Sequence, residues 1–102
     1  MKLWLDDIRP APEGWERVKD ATEFWRAIAK THCMKEVEAI SFDNDLGENR
    51  VEGWEIAKDL LDMYIVQTDL KHVPILTVHS ANVPAAKRIK GYISDIEKVA
   101  KQ

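Results

Sequence analysis

Apolar, β-branched runs alternate along this chain with stretches of helical period, and each run closes on polar or acidic residues, which predicts an α/β fold on a parallel sheet. Three runs carry the pattern: LWLDD at residues 3–7, ISFDNDLG at 40–47 and PILTVH at 74–79. Strand, helix, strand order implies right-handed crossovers and about four parallel strands in the order 2-1-3-4. At 102 residues, with 45% apolar and 32% charged residues, the chain is one globular domain over residues 1–102 with a single core.

Residues 2–6 form the first strand, and residues 8–15 a loop, because Pro10, Pro12 and Gly14 interrupt regular structure. That loop is too short for a full helix, so the first covering helix is lost or reduced to a turn. Residues 16–19 make a weak second strand. Asp20 with Glu23 forms a capping box, opening a helix that runs to about Lys30 with Phe24, Ala27 and Ile28 on one face. Residues 37–43 are the third strand, and Gly47 with Asn49 marks the loop after it. From Gly53 to about Tyr64, Trp54, Ala57, Leu60, Leu61 and Tyr64 recur at helical spacing, the mark of a core face. Residues 74–79 are apolar nearly throughout, as a strand covered on both faces would be. Asn82 caps the last helix, Pro84 is tolerated in its first turn, and Ala85, Ile89, Tyr92, Ile93, Ile96 and Ala100 face inward.

The unusual polar residues fall at strand ends. In open parallel sheets ligands bind beyond the carboxyl ends of the strands, where strand order reverses. Asp6 and Asp7 end the first strand, Asp43 and Asp45 the third, and His79, Ser80 and Asn82 the fourth, so the order 2-1-3-4 sets both acid pairs across the switch point. Asp43 and Asp45, two apart on extended backbone, project to one side. Their repulsion must be relieved by a cation, a proton or water. Hard oxygen ligands from Asp6, Asp7, Asp43 and Asp45 suit Mg²⁺ or Mn²⁺ better than zinc. The structural alternatives are that Asp6 or Asp7 caps the following turn and that Asp45 orders its loop. His79 can protonate a leaving oxygen or orient water while Arg9 neutralises phosphate charge. His32 and His72 lie in connectors and are expected in solvent.

Fifteen basic against eighteen acidic residues give a formal charge of −3, which argues against a broad footprint for long nucleic acid. A small phosphorylated ligand needs only local donors, for which Arg9, Arg50, Lys87 and Arg88 are available. The start MKLWLDDIRP lacks the apolar core of a secretion signal and no stretch is long and apolar enough to span a bilayer, so a cytoplasmic location is expected. Cys33 is the one cysteine, which leaves neither an intrachain disulfide nor a cysteine-based zinc site.

LWLDDIRPAPEGW, ISFDNDLG and ILTVHSAN together resemble the cyclic-phosphate processing receiver-like domain, a divergent form of the response-regulator receiver, over essentially the whole chain. The resemblance implies a receiver-like (flavodoxin-like) reduced sandwich in which Asp6 and Asp7 match the receiver acid pair and Ser80 its hydroxyl position. Either Asp43 or Asp45 matches the phosphoacceptor: counting back from Gly53 and Trp54 favours Asp45, and the strand pattern favours Asp43. The chain has no fifth strand or its lysine. The resemblance also implies a hydrolase site of strand-end acids and histidine, with His79, Asp7 and Asp45 catalytic and Arg9, Asn44, Ser80 and Asn82 binding substrate. Relatives commonly place a histidine where this chain has Asn44, which cannot exchange a proton near neutral pH.

Three readings follow. The leading one is a metal-dependent phosphodiesterase opening the cyclic phosphate of a nucleotide, a cyclic oligonucleotide or an RNA end. A second is a module that binds or sequesters a cyclic nucleotide without cleaving it, in keeping with Asn44. A third is a stand-alone receiver-like interaction domain, with Trp15, Trp25 and Trp54 as a partner surface.

Overall fold

A computed structural model describes all of residues 1–102. Its elements, in chain order, are β1 (Lys2–Leu5), β2 (Glu16–Val18), α1 (Ala21–Ala29), a 3₁₀ turn (Met34–Glu36), β3 (Ala39–Phe42), α2 (Gly53–Val66), β4 (Ile75–Val78) and α3 (Val83–Ala100). The four strands form one parallel sheet in the order β2-β1-β3-β4. The sheet order and the element order match the reading of the sequence, to within a residue or two at the ends.

Register decides what each face of the sheet does. Leu3, Ile40 and Leu76 align in one row, and Leu5, Phe42 and Val78 in the next row of the same face. These residues join Phe24 and Ala27 of α1, Ile56, Ala57 and Leu60 of α2 and Ile89, Ile93 and Ile96 of α3 in a single core. Each fully buried aliphatic side chain there contributes about 1.5–3 kcal/mol. All three helices therefore pack on one face. The topology requires this of α1 and α2: the crossovers β2 to β3 and β3 to β4 step in the same direction across the sheet, and right-handed connections then fall on the same side, while α3, after the last strand, packs against α2 and β4.

The opposite face has no helix. Its residues are Arg17 of β2, Lys2 and Trp4 of β1, Ala39 and Ser41 of β3, and Ile75 and Thr77 of β4. The expectation that residues 74–79 form a strand covered on both faces is corrected: β4 is an edge strand with Ile75 71% exposed. Its near-continuous apolarity reflects one buried face and a few apolar residues left in water. The loop between β1 and β2, which turns at Pro12 and Trp15, stands where a covering helix would lie. Trp15 packs edge-on against Trp4 with ring centroids 5.9 Å apart, and the Lys2 ammonium lies 6.0 Å from the Trp15 ring.

The helix caps follow the sequence. The Asp20 carboxylate accepts from the Glu23 amide, and the Glu23 carboxylate accepts from the Lys19 amide. Asn82 accepts from the Ala85 amide at the start of α3. Helix α2 opens on a capping box that sequence reading missed, formed by Glu52 and Glu55. No helix is long and apolar enough to cross a membrane.

Candidate functional site

Asp6, Asp43 and His79 occupy the row just beyond the last paired residues of β1, β3 and β4. Their amides continue the ladder, Asp43 donating to Leu5 and His79 to Phe42. Because side chains alternate along a strand, this row shares its face with Trp4, Ser41 and Thr77, the face without helices. Adjacent parallel strands lie about 4.8 Å apart. One ligand atom from each of the three residues falls within 4.8 Å of the others.

Asp6 is 1% exposed, and each of its oxygens is hydrogen-bonded within the protein. Its Oδ1 accepts from the amides of Ile8 and Arg9 at 2.9 and 2.8 Å, and its Oδ2 lies 3.0 Å from His79 Nε2. Burial alone would raise its pKa, but the two backbone donors and His79 outweigh it and hold the carboxyl below the usual range. Asp43 behaves oppositely. Burial raises its pKa, the charge on Asp6 adds to the rise, and one backbone bond, from Asn44 to Oδ1 at 2.8 Å, only partly offsets it. The neighbouring carboxyls are thus driven apart, with Asp6 the firmly ionised member.

His79 lies flat against Trp4, ring centroids 3.7 Å apart and planes within 6°. The two residues sit on strands separated by β3, and they meet because β3 places the small Ser41 between them. Ser41 Oγ lies 2.7 Å from His79 Nδ1. Burial lowers the His79 pKa despite the neighbouring carboxylates, so the neutral ring is favoured. Arg9 donates from a terminal guanidinium nitrogen to the His79 carbonyl at 2.8 Å, and its Nε lies 4.0 Å from Asp6 Oδ2.

A cleft of about 220 Å³ opens over this row, lined by Asp6, Asp7, Ile8, Arg9, Asp43, Asp45 and Ala81. All four strand-end aspartates reach it, although only Asp6 and Asp43 join the close group with His79. Asp7 leans towards Gly47, whose φ of +108° a residue with a side chain would rarely adopt. Asp45 is exposed and accepts from the Asn44 side-chain amide at 3.3 Å.

Asn44, Ser80 and Asn82 make bonds that organise backbone. Asn44, 1% exposed, donates to Asp45 and Glu52 and accepts from the Trp54 amide, tying the loop after β3 to the start of α2. Gly53 makes that junction close: a Cβ there would overlap the Asp43 carbonyl oxygen. Ser80 Oγ accepts from the Asn82 amide, and Asn82 caps α3. Of the four cations noted in the sequence, Arg9 alone lines the cleft. Arg50 pairs with Asp20 at 3.7 Å, Arg88 stacks on Trp54 at 3.5 Å, and Lys87 is exposed on α3. His32 is exposed as expected, whereas His72 is half-buried, its carbonyl accepting from the Tyr64 hydroxyl.

Trp4 and Ser41 were missed in the sequence, where they read as ordinary strand residues. Counting back by two from Asp6 and from Asp43 reaches both, so period-two spacing carried the signal.

Comparison with curated proteins and with solved structures gives no match. The family model of the cyclic-phosphate processing receiver domain matches residues 1–95, nearly the whole chain and every residue of the cleft, and the chain belongs to that family.

Proposed function

We propose that this domain is a divalent-metal-dependent phosphoesterase that opens a cyclic phosphate carried by a nucleotide, a cyclic oligonucleotide or an RNA end. The observation that carries the reading is the row of Asp6 and Asp43 under a cleft with Arg9 at its edge. One arginine among four aspartates cannot by itself welcome a phosphate, so the cleft calls for added positive charge. The donors fit a hard cation: Asp43 has an oxygen beyond the one bonded to Asn44, Asp6 is ionised, and Asp7 and Asp45 line the same space. Mg²⁺ or Mn²⁺ would be held by Asp6 and Asp43 with Asp7 and Asp45 alongside, and supplies charge neutralisation at the phosphate.

The residues of the chain do the remaining work. Arg9 is fixed by its bond to the His79 carbonyl and turns its other N–H groups to an anionic oxygen. Asp7 and Asp45, at the mouth of the cleft, accept a proton from the attacking water. In the reaction one water adds across a P–O bond: its oxygen joins phosphorus and a proton reaches the departing oxygen.

Phosphorus NMR of the protein with Mg²⁺ or Mn²⁺ and cyclic mononucleotides, cyclic oligonucleotides or cyclic-phosphate-ended RNA tests the reading. A ring-opened product that disappears with chelator, and with Asp43→Ala, is expected. Absence of product from all three classes overturns it. A second reading, binding without cleavage, is favoured by the engagement of both His79 nitrogens within the protein. Stoichiometric calorimetric binding with no product supports that one instead.

A further inference from the structure

His79 touches the cleft only through its neighbour. It is absent from the lining, its ring is covered by Trp4, and both its nitrogens have partners inside the protein. We propose that His79 is a positioning residue, held by Ser41 and Trp4 as the tautomer with its proton on Nε2 and serving to fix the Asp6 carboxylate at the cleft. The inference rests on the reading of that cleft as the functional site.

The hydrogen bonds give the direction. Ionised Asp6 can only accept, so the proton between Asp6 Oδ2 and His79 Nε2 belongs to the imidazole. The Ser41 hydroxyl, 4% exposed, has Nδ1, 2.7 Å away, as its one side-chain partner, so the hydroxyl donates and Nδ1 accepts, which leaves the ring proton on Nε2. Donation therefore runs from Ser41 to His79 to Asp6. A half-turn of the ring would put carbon against both partners. Trp4, parallel at 3.7 Å, restricts the ring to the plane in which both bonds form.

Two other roles conflict with this arrangement. As an acid towards a leaving oxygen it would need an N–H aimed into the cleft, yet both ring nitrogens are turned to partners inside the protein. As a metal ligand it would need a nitrogen facing the cleft, yet Nε2 faces Asp6 and Nδ1 faces Ser41. With two backbone amides on Oδ1 and the imidazole on Oδ2, Asp6 has one orientation available. Fixing a ligand oxygen in this way is the usual task of a residue one step removed from the reacting centre.

Nitrogen-15 NMR of the labelled wild-type protein tests the tautomer without ligand or variant. His79 should appear with its proton on Nε2, and Ser41→Ala should shift it towards a mixture. A wild-type spectrum showing the proton on Nδ1 overturns the proposal. Glutamine can place an amide N–H where Nε2 lies but cannot exchange a proton near neutral pH. His79→Gln should accordingly keep Mn²⁺ affinity, read by electron paramagnetic resonance, within about threefold, while His79→Ala loses about tenfold or more, the range for such supporting groups. Equal loss in both variants, with unchanged thermal melts, also overturns it. Should no cyclic phosphate be turned over, the functional reading fails while spectrum and Mn²⁺ affinity still decide the role of His79.

Discussion

Asn82 illustrates how a polar residue at a functional rim acquires a structural duty. Its side chain accepts from the Ala85 amide, one of the open donors in the first turn of α3. Pro84 lies in the same turn and needs no partner there, so Asn82 and Pro84 together start the helix. Replacing Asn82 with alanine should lower stability by about 1 kcal/mol, the usual cost of a lost cap. Serine, which can accept the same bond, should restore most of it. Urea denaturation of the two variants measures both effects. If Asn82 also contacts ligand, serine will restore stability and leave affinity impaired; equal recovery of both assigns it to the cap alone.

Among the elements, the junction of β3 and α2 is the tightest constraint on the site. The Gly53 amide donates to the Asn44 carbonyl at 2.8 Å, and the glycine Cα faces the Asp43 carbonyl so closely that no side chain fits. The obstacle is backbone, which cannot rotate aside as a flexible side chain would. Gly53→Ala should cost about 1–3 kcal/mol, the range for overpacking, and push Asp43 out of line with Asp6. A melting temperature equal to that of the wild type would show that the junction yields cheaply. The same junction marks how far the sequence could be read. Strand order, helix faces and the gathering of strand-end acids were legible because periodicity and the rule for parallel sheets act over a few residues or on topology alone. Two features were not. The bare face of the sheet follows from strand order and crossover hand, but the apolar run PILTVH taken alone reads the same in an edge strand as in a doubly covered one. The inward turn of Asn44 depends on Glu52 and Trp54, eight and ten residues on, whose approach only the folded loop creates.

For the molecule as a whole, the three ionisable groups of the row make opposing contributions to stability as pH changes. Asp6 has a folded pKa below its unfolded value of 3.8, so it stabilises the fold at neutral pH and loses that effect as pH falls through the folded value. His79 is likewise depressed below 6.5: its contribution is complete above that pH and declines as the medium is acidified towards the folded value, because the unfolded chain takes up the proton first. Asp43 has the other sign. With its folded pKa above 3.8, the ionised group destabilises the native state at neutral pH, and acidification through the folded value relieves it. Asn at position 43 can still accept the Asn44 amide bond while removing the charge that faces Asp6. Asp43→Asn should therefore be more stable than the wild type at pH 7, by about 0.5–2 kcal/mol, the usual gain from a single stabilising substitution. The advantage should shrink as pH falls towards 4, since protonation brings wild-type Asp43 to the same neutral state. Chemical denaturation of both proteins across that interval, free of divalent ions, gives the two curves. A difference that stays constant with pH, or a variant less stable at pH 7, would mean that burial beside Asp6 is not what strains this carboxylate; curves that converge in acid identify Asp43 as the group held ionised at the expense of the fold.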